Sequence, residues 1–179
     1  CNLGTLLDHF SYQSIHPLKM PDEMKNDTIK NFDLNRFLGK WYEIARLDNR
    51  FERNLHAVTA EYTLRKDGNI RVVNSGHKGS PEGPLSMIEG RAKLSAPDDP
   101  QHPGALLVSF FWIFYTPYNI LEIDPDYQYA LIGGKKQKYL WILSRTPELP
   151  REITQKLLTR ARLMGFDTST VLFPQPAKK

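Results

Sequence analysis

Cysteine is nearly absent from this chain of 179 residues, which contains only Cys1. A single thiol excludes a disulfide within the chain and any metal site built from cysteines. The length is that of one domain, and it is enough to bury a sizeable hydrophobic core. The fold must therefore be stabilised by packing rather than by covalent cross-links.

Long hydrophobic runs and strong charge are also missing. The longest apolar run is Phe110 to Tyr115, which is far too short to span a bilayer as a helix. The formal net charge is +4, and no block of five or more Lys or Arg residues occurs. Such a mild positive charge is typical of a solvated surface, so we expect no nucleic-acid partner.

Signatures of catalysis and metal binding are not found either. The sequence contains neither a Gly-x-Ser-x-Gly nor a His-Glu-x-x-His motif. The five histidines are scattered without the spacing of metal ligands. We therefore expect a protein that is not an enzyme and that needs no metal or cofactor.

The chain is instead organised around residues 31–47. Asp33 is placed to cap a short helical turn over Phe32 to Leu38, and Gly39 ends that turn. Trp41 to Leu47 then alternates as a strand, with Trp41, Glu43, Ala45 and Leu47 on one face. A turn that closes against a first strand, with Trp41 at the joint, predicts a plug at one end of a β-barrel.

Seven further short strands follow at regular spacing, which predicts an all-β fold, an eight-stranded antiparallel up-and-down barrel. The turn at Asp67-Gly68 favours a hairpin. One long helix follows the strands, beginning near Pro150 and ending at Gly165. An apolar stripe packs it against the barrel, formed by Ile153, Leu157, Ala161 and Met164. A short edge strand is expected at Val171 to Phe173. The predicted strands are Trp41–Leu47, Ala57–Arg65, Ile70–Ser75, Leu85–Ser95, Ala105–Trp112, Tyr118–Ile123, Tyr127–Gly133 and Lys138–Arg145.

Three motifs in this order resemble the lipocalin family. Gly39-Lys40-Trp41 matches the family's Gly-x-Trp, and Arg145 matches its Arg at the end of the eighth strand. The remaining motif is loosened here to Asp124-Pro125-Asp126-Tyr127. Residues 41–46, 50–53, 108–111 and 139–147 look like the bacterial outer-membrane lipoprotein lipocalins, with the apolipoprotein D branch next. The resemblance implies that Gly39, Trp41 and Arg145 close the barrel, and that fatty acids or lysophospholipids bind at the periplasmic face of the outer membrane.

The domain organisation follows from these assignments. Residues 1–30 are predicted to be a polar tether, residues 31–176 the barrel with its helix, and residues 177–179 a tail. A chain whose only cysteine is its first residue resembles a bacterial lipoprotein after signal-peptide removal, so Cys1 is the expected site of lipid attachment to the membrane. The alternative is a chain trimmed at an arbitrary point.

Strand alternation predicts which side chains point into the barrel once Trp41 points inward. The mixture of small and aromatic residues suits an acyl chain. The alternative is a filled barrel without a ligand, which would act as a membrane-bound scaffold or interaction protein. The predicted ligand-binding residues are Val58, Ala60, Tyr62, Ile88, Ala92, Val108, Phe110, Tyr115, Asn119, Leu121, Ala130, Ile132, Tyr139 and Trp141.

The loops at the open end are predicted to form a cationic rim. The aromatic segment 113–117 is expected to be one of these loops, where it could contact a membrane or pair with a second barrel in a homodimer. A cationic rim above an apolar cavity matches a ligand with an acyl tail and an anionic head. The rim residues are Arg50, Arg53, His77, Lys78, Lys135 and Lys136.

Overall fold

The structure, a computed structural model, describes residues 28–111 and 114–178. Cys1, most of the predicted tether and Trp112 lie outside the described residues. Among the residues described, no helix is long and apolar enough to cross a membrane. The helices are α1 (Leu34–Phe37) and α2 (Arg151–Leu163), and the strands are β1 (Gly39–Leu47), β2 (Leu55–Leu64), β3 (Ile70–Lys78), β4 (Leu85–Leu94), β5 (Ala105–Phe111), β6 (Phe114–Ile123), β7 (Tyr129–Gly134), β8 (Leu140–Ser144) and β9 (Val171–Leu172).

The strands form the predicted antiparallel barrel. Each of β1 to β8 pairs with its neighbours in sequence, and β8 returns to pair with β1, which closes the sheet. The short strand β9 adds to β1 through Val171 and Leu172, as the sequence predicted. The eight-stranded up-and-down barrel is therefore confirmed.

The barrel interior is filled at the closed end. Trp41, Phe37 and Ile132 are fully buried there, and together with the interior side chains of β2 to β8 they form one continuous core. The turn before β1 has the predicted cap, because the Asp33 side chain accepts a hydrogen bond from the Asn35 N–H at 3.0 Å. The half of the barrel next to Trp41, called the lower half below, is consequently filled with packed side chains.

Helix α2 lies on the outside of the barrel. Leu157, Ala161 and Met164 of the predicted stripe are buried against Leu131 and Ile142 of β7 and β8. Gly165 ends the helix with φ +92°, a conformation that glycine adopts without steric cost. Helix α2 and the outer face of the barrel therefore enclose a second hydrophobic core.

Two irregularities in strand pairing change which side chains face inward. In β1 the register against β8 shifts between Glu43 and Ala45, and in β6 the register against β7 shifts between Ile120 and Glu122. Each shift is a β-bulge, at which alternation slips by one position. Facings extrapolated across these points from a regular pleat are therefore wrong.

The predicted aromatic loop at 113–117 is also wrong in part. Strand β6 begins at Phe114 rather than at Tyr118, and Thr116 and Pro117 pair with Val108 and Leu107 of β5. Aromatic and β-branched residues favour strands, so this segment continues the ladder instead of leaving it.

Candidate functional site

The closed end is built around Arg145, at the end of β8. Its guanidinium lies 3.8 Å from the centre of the Trp41 ring, a cation–π contact. The same group donates hydrogen bonds to the carbonyls of Arg36 at 2.7 Å and Lys40 at 3.0 Å. Gly39 has φ +96°, and a side chain there would press against the Arg145 guanidinium. Gly39, Trp41 and Arg145 thus form one closing unit.

The open half contains a cavity of about 580 Å³. This volume is within the range of sites that hold a small ligand. The cavity shows that the barrel is filled only in its lower half. Eight of the predicted ligand-binding residues line it: Val58, Ala60, Tyr62, Ile88, Val108, Phe110, Tyr139 and Trp141.

Three other predicted residues point inward but lie in the packed core below the cavity. Ala92, Ala130 and Ile132 are buried among the side chains of the closed half and do not border the open space. Alternation indicates which face of a strand is internal, but it does not indicate whether an internal side chain meets a cavity or a neighbour.

The remaining three predicted residues, all on β6, lie outside the barrel interior. Tyr115 stacks on the outer surface with the Lys93 ammonium 4.4 Å from its ring centre. Leu121 packs in the core beneath α2, and Asn119 also lies off the main cavity. The physical reason is the bulge between Ile120 and Glu122, which reverses the facing expected from the end of the strand. The inward side chains of β6 are instead Thr116, Tyr118 and Ile120.

A buried ionic cluster beside the cavity was missed by the sequence prediction. Glu43 and Arg46 are both buried, and an Arg46 nitrogen lies 2.8 Å from a Glu43 carboxylate oxygen. Arg46 was predicted to face outward with Tyr42 and Ile44, but the bulge after Glu43 turns it inward. Arg46 also donates to the backbone carbonyl of Glu52 at 2.7 Å, which ties the loop after β1 to the barrel wall.

Glu52, on that loop, extends this cluster across the cavity. Its carboxylate accepts hydrogen bonds from the Trp141 indole at 2.9 Å and from the Asn49 amide at 2.7 Å. Asn49 in turn accepts from the backbone N–H groups of Phe51 and Glu52. The loop is therefore folded over the cavity rather than extended into solvent.

Burial raises the pKa of Glu43 well above its ordinary value of 4.5, and the neighbouring charge and hydrogen bond of Glu52 raise it further. Arg46 lowers the pKa of Glu43, but the effect of burial outweighs this contribution. Burial therefore favours the protonated form of the Glu43 carboxyl in the folded chain, beside the Arg46 guanidinium.

Two tyrosines form a second polar contact in the cavity. The hydroxyls of Tyr62 and Tyr118 are 2.6 Å apart, and burial raises the pKa of both phenols. The Tyr118 ring packs on Trp141, which also stacks on Tyr139. This aromatic wall faces the aliphatic side chains of β2 to β4.

The predicted cationic rim is present in part. Lys135 lines the mouth of the cavity, whereas Lys78 and Lys136 are exposed and do not line it. The positive charge of Arg53 is balanced by an ion pair with Asp48 at 3.1 Å. The His77 ring nitrogen Nδ1 lies 2.8 Å from the carbonyl oxygen of Gly83. Within the described residues, no three His, Cys, Asp or Glu side chains are grouped as a metal site would need.

Comparison with known proteins matches residues 32–176 to the lipocalin-like domain. The chain is similar to the outer membrane lipoprotein Blc of Escherichia coli (strain K12), with 46% identity over 148 residues that cover 82% of this chain and 81% of the relative. The Blc protein of Vibrio cholerae is 43% identical over 159 residues, covering 88% and 90%. Apolipoprotein D of Bos taurus is 36% identical over 131 residues, covering 69% and 66%.

The fold also matches solved structures. Lobster apocrustacyanin A1 superimposes with a TM-score of 0.66 at 19% identity, covering 82% of this chain and 81% of that chain. At this identity the likeness concerns the architecture of the barrel alone.

Proposed function

The chain belongs to the lipocalin family, and on that premise we propose that it is a carrier of single-chain lipids, fatty acids or lysophospholipids, at the bacterial outer membrane. The observation that carries this proposal is the cavity of about 580 Å³ in the open half of the barrel. A scaffold protein with a filled barrel would have no such space. The absence of a catalytic motif in the sequence favours a carrier over an enzyme.

The cavity fits an acyl chain with its polar head near the mouth. Aliphatic and aromatic side chains of Val58, Ile88, Phe110 and Tyr139 border most of the space. Lys135 at the mouth supplies a positive charge for an anionic head. The carboxyls of Glu43 and Glu52 also border the cavity and disfavour an anionic group beside them, which leaves the mouth near Lys135 as the position for an anionic head.

Membrane attachment through an acylated Cys1 is part of the proposal. Relatives that are similar over more than four fifths of this chain are named outer membrane lipoproteins. The only cysteine of this chain is at position 1. Pairing of two barrels through their open ends is a weaker proposal, since residues 114–117 belong to a strand rather than to a free loop.

A titration with saturated fatty acids and lysophospholipids of increasing chain length tests the carrier function. Each buried methylene contributes about 0.8 kcal/mol, so affinity should rise roughly fourfold per carbon until the cavity is full. Emission of Trp141, on the cavity wall, should report binding. Raising the salt concentration should weaken only the headgroup contribution, because exposed charges are screened beyond about 10 Å at 0.1 M salt.

Two variants provide matched controls for this titration. Ala60→Phe fills part of the cavity and should shorten the preferred chain, whereas Thr63→Phe, on the outer face of the same strand, should not. Equal affinity for short and long chains would contradict the carrier function. Mass spectrometry of protein gently extracted from its own membrane should find retained lipid and a mass increment on Cys1. An unmodified Cys1 would contradict the proposed membrane attachment but not the carrier function.

A further inference from the structure

Four large apolar side chains are exposed around the mouth of the cavity. Phe51 lies on the loop between β1 and β2, and Leu85, Met87 and Ile88 lie in the first half of β4, which begins at the open end. Their exposed fractions are 54%, 57%, 63% and 42%, in that order. Half of the exposed large hydrophobic side chains in the described residues are therefore collected here. We call these four residues the apolar rim.

The cavity accounts for only part of this exposure. Phe51, Met87 and Ile88 border the cavity, so a bound ligand would cover their inner surfaces. Leu85 does not border it, and a ligand inside the barrel would leave this side chain in solvent. Single exposed apolar residues are common in soluble proteins, but a group of them beside a binding site marks a surface that contacts a partner or a membrane.

Cationic side chains accompany the apolar rim. The Arg50 guanidinium lies 4.9 Å from the centre of the Phe51 ring. Lys78 is the last residue of β3, and its backbone N–H donates to the carbonyl of Pro84, next to Leu85, at 3.0 Å. Each side of the rim therefore combines an apolar side chain with a positive charge.

The open end as a whole carries an excess of positive charge. Its acidic residues Asp48 and Glu82 are paired with Arg53 and Lys178. Within the described part of the chain, none of the lysines of this end from β3 and from the connection between β7 and β8 forms an ion pair. These lysines are Lys78, Lys135, Lys136 and Lys138.

We propose that the apolar rim is a docking surface for an anionic lipid bilayer, into which Phe51, Leu85 and Met87 insert while the surrounding lysines contact lipid phosphates. Burial of apolar side chains and attraction of cations to anionic lipids both favour binding at a membrane interface. A second copy of this chain is a poorer occupant, because two positively charged rims would repel each other. The proposal goes beyond the carrier function, since it concerns the outside of the mouth and holds for an empty cavity.

Sedimentation of the unacylated full chain with lipid vesicles tests the docking. Because Cys1 then carries no lipid, any binding comes from the protein surface itself. Vesicles of phosphatidylethanolamine and phosphatidylglycerol should bind the chain at least tenfold more tightly than vesicles of phosphatidylcholine, since each lysine near an anionic surface contributes about fivefold. An increase in salt from 0.1 M to 0.5 M should reduce this difference. No binding to the anionic vesicles, or equal binding to both kinds, would overturn the proposal.

Matched pairs of variants locate the docking surface at the mouth. Leu85→Ser should weaken vesicle binding about tenfold, whereas Leu64→Ser, which changes a leucine that is 46% exposed at the closed end, should have no effect. Lys136→Gln should weaken binding about fivefold, whereas Lys66→Gln, in the turn after β2 at the closed end, should have none. Equal losses within either pair would overturn the assignment to the mouth.

Two further measurements separate this proposal from its alternatives. Leu85→Ser should bind fatty acids with the affinity of the natural chain, because Leu85 does not border the cavity. Vesicle binding by a chain that bound no free fatty acid would support the docking and contradict the carrier function. Analytical ultracentrifugation without vesicles should find a monomer, and a dimer that Leu85→Ser dissociated would identify a second copy as the occupant and overturn the proposal.

Discussion

At the scale of single residues, the main feature is a pair of ionisable side chains buried next to a cavity that suits an apolar ligand. Glu43 and Arg46 form an ion pair with side chains that are 4% and 3% exposed. Buried ion pairs contribute little net stability, since the cost of desolvation offsets their attraction. Their structural effect here is to hold the loop of Asn49 and Glu52 over the cavity, through the bond from Arg46 to the Glu52 carbonyl.

The raised pKa of Glu43 predicts an unusual dependence of stability on pH. The folded state keeps the proton at pH values at which an unfolded glutamate, with an ordinary pKa of 4.5, has lost it. The free energy of unfolding should therefore fall as pH rises from 4.5 through the raised pKa, by up to about 1.4 kcal/mol per pH unit. Glu43→Gln, which imitates the protonated carboxyl, should flatten this fall.

Urea unfolding at half-unit pH steps between 5 and 8 measures this difference. Glu148→Gln changes an exposed carboxyl and serves as the control. If the natural chain and Glu43→Gln lost stability in parallel as pH rose, the Glu43 carboxyl would not be the cause of the loss.

At the scale of elements, the helix shows how well a periodic pattern predicts packing. The stripe of Ile153, Leu157, Ala161 and Met164 was expected to meet the barrel, and Leu157 and Ala161 are fully buried in the structure. The pattern predicts the packing well here because one face of the helix is buried and the other is exposed to solvent. The buried face packs on the outer surface of a sheet.

A pair of leucines on α2 tests the energetic weight of this contact. Leu157→Ala removes a fully buried side chain and should cost about 2–5 kcal/mol. Leu163→Ala removes a side chain that is 54% exposed, and surface substitutions of this kind usually change stability by less than about 0.5 kcal/mol. Chemical denaturation of the two variants gives both numbers, and equal losses would mean that the helix contributes no specific packing.

Strand β6 shows where the same reasoning is limited. Its first residues, Phe114 to Pro117, were expected to belong to a loop at the open end. Pairing of Thr116 with Val108 places them in the ladder instead. Pairing with β5 decided the structure of this segment, in agreement with the strand preference of its aromatic and β-branched residues.

At the scale of the whole molecule, the barrel is divided into a packed half and a hollow half. The sequence was sufficient to predict the eight strands, the closing unit of Trp41 and Arg145, and the inward facing of most core residues. The alternation of side chains along a strand does not indicate how far along the barrel axis an inward side chain lies, and therefore whether it meets the packed half or the cavity. Ala130 and Ile132 were therefore expected at the ligand although they lie in the packed half.

The polar side of the cavity, around Glu43 and Glu52, was the least predictable part. Glu52 reaches it from a loop, and loops have no periodicity from which a facing can be derived. Arg46 reaches it through a bulge, and a bulge has no sequence signature in this chain. The partners of both residues, Trp141 and Glu43, were correctly expected to face inward, so half of each contact was visible in advance.

The bulge in β1 has a consequence for how the length of this chain could vary. Glu43 pairs with Leu143 and Ala45 pairs with Ile142, so Ile44 is an insertion that has no partner of its own in β8. Its deletion would restore a regular pleat with Glu43 inward, Ala45 outward and Arg46 inward, while every other pair keeps its register. A chain without Ile44 should fold and keep its near-ultraviolet circular dichroism. Deletion of Val73, which lies where β3 pairs with both neighbours in regular register, should abolish both. Failure of the first variant would mean that the bend at Ile44 is itself required. Related sequences that lack one residue at the position of Ile44 should therefore form the same barrel, although the deletion would fall inside a strand.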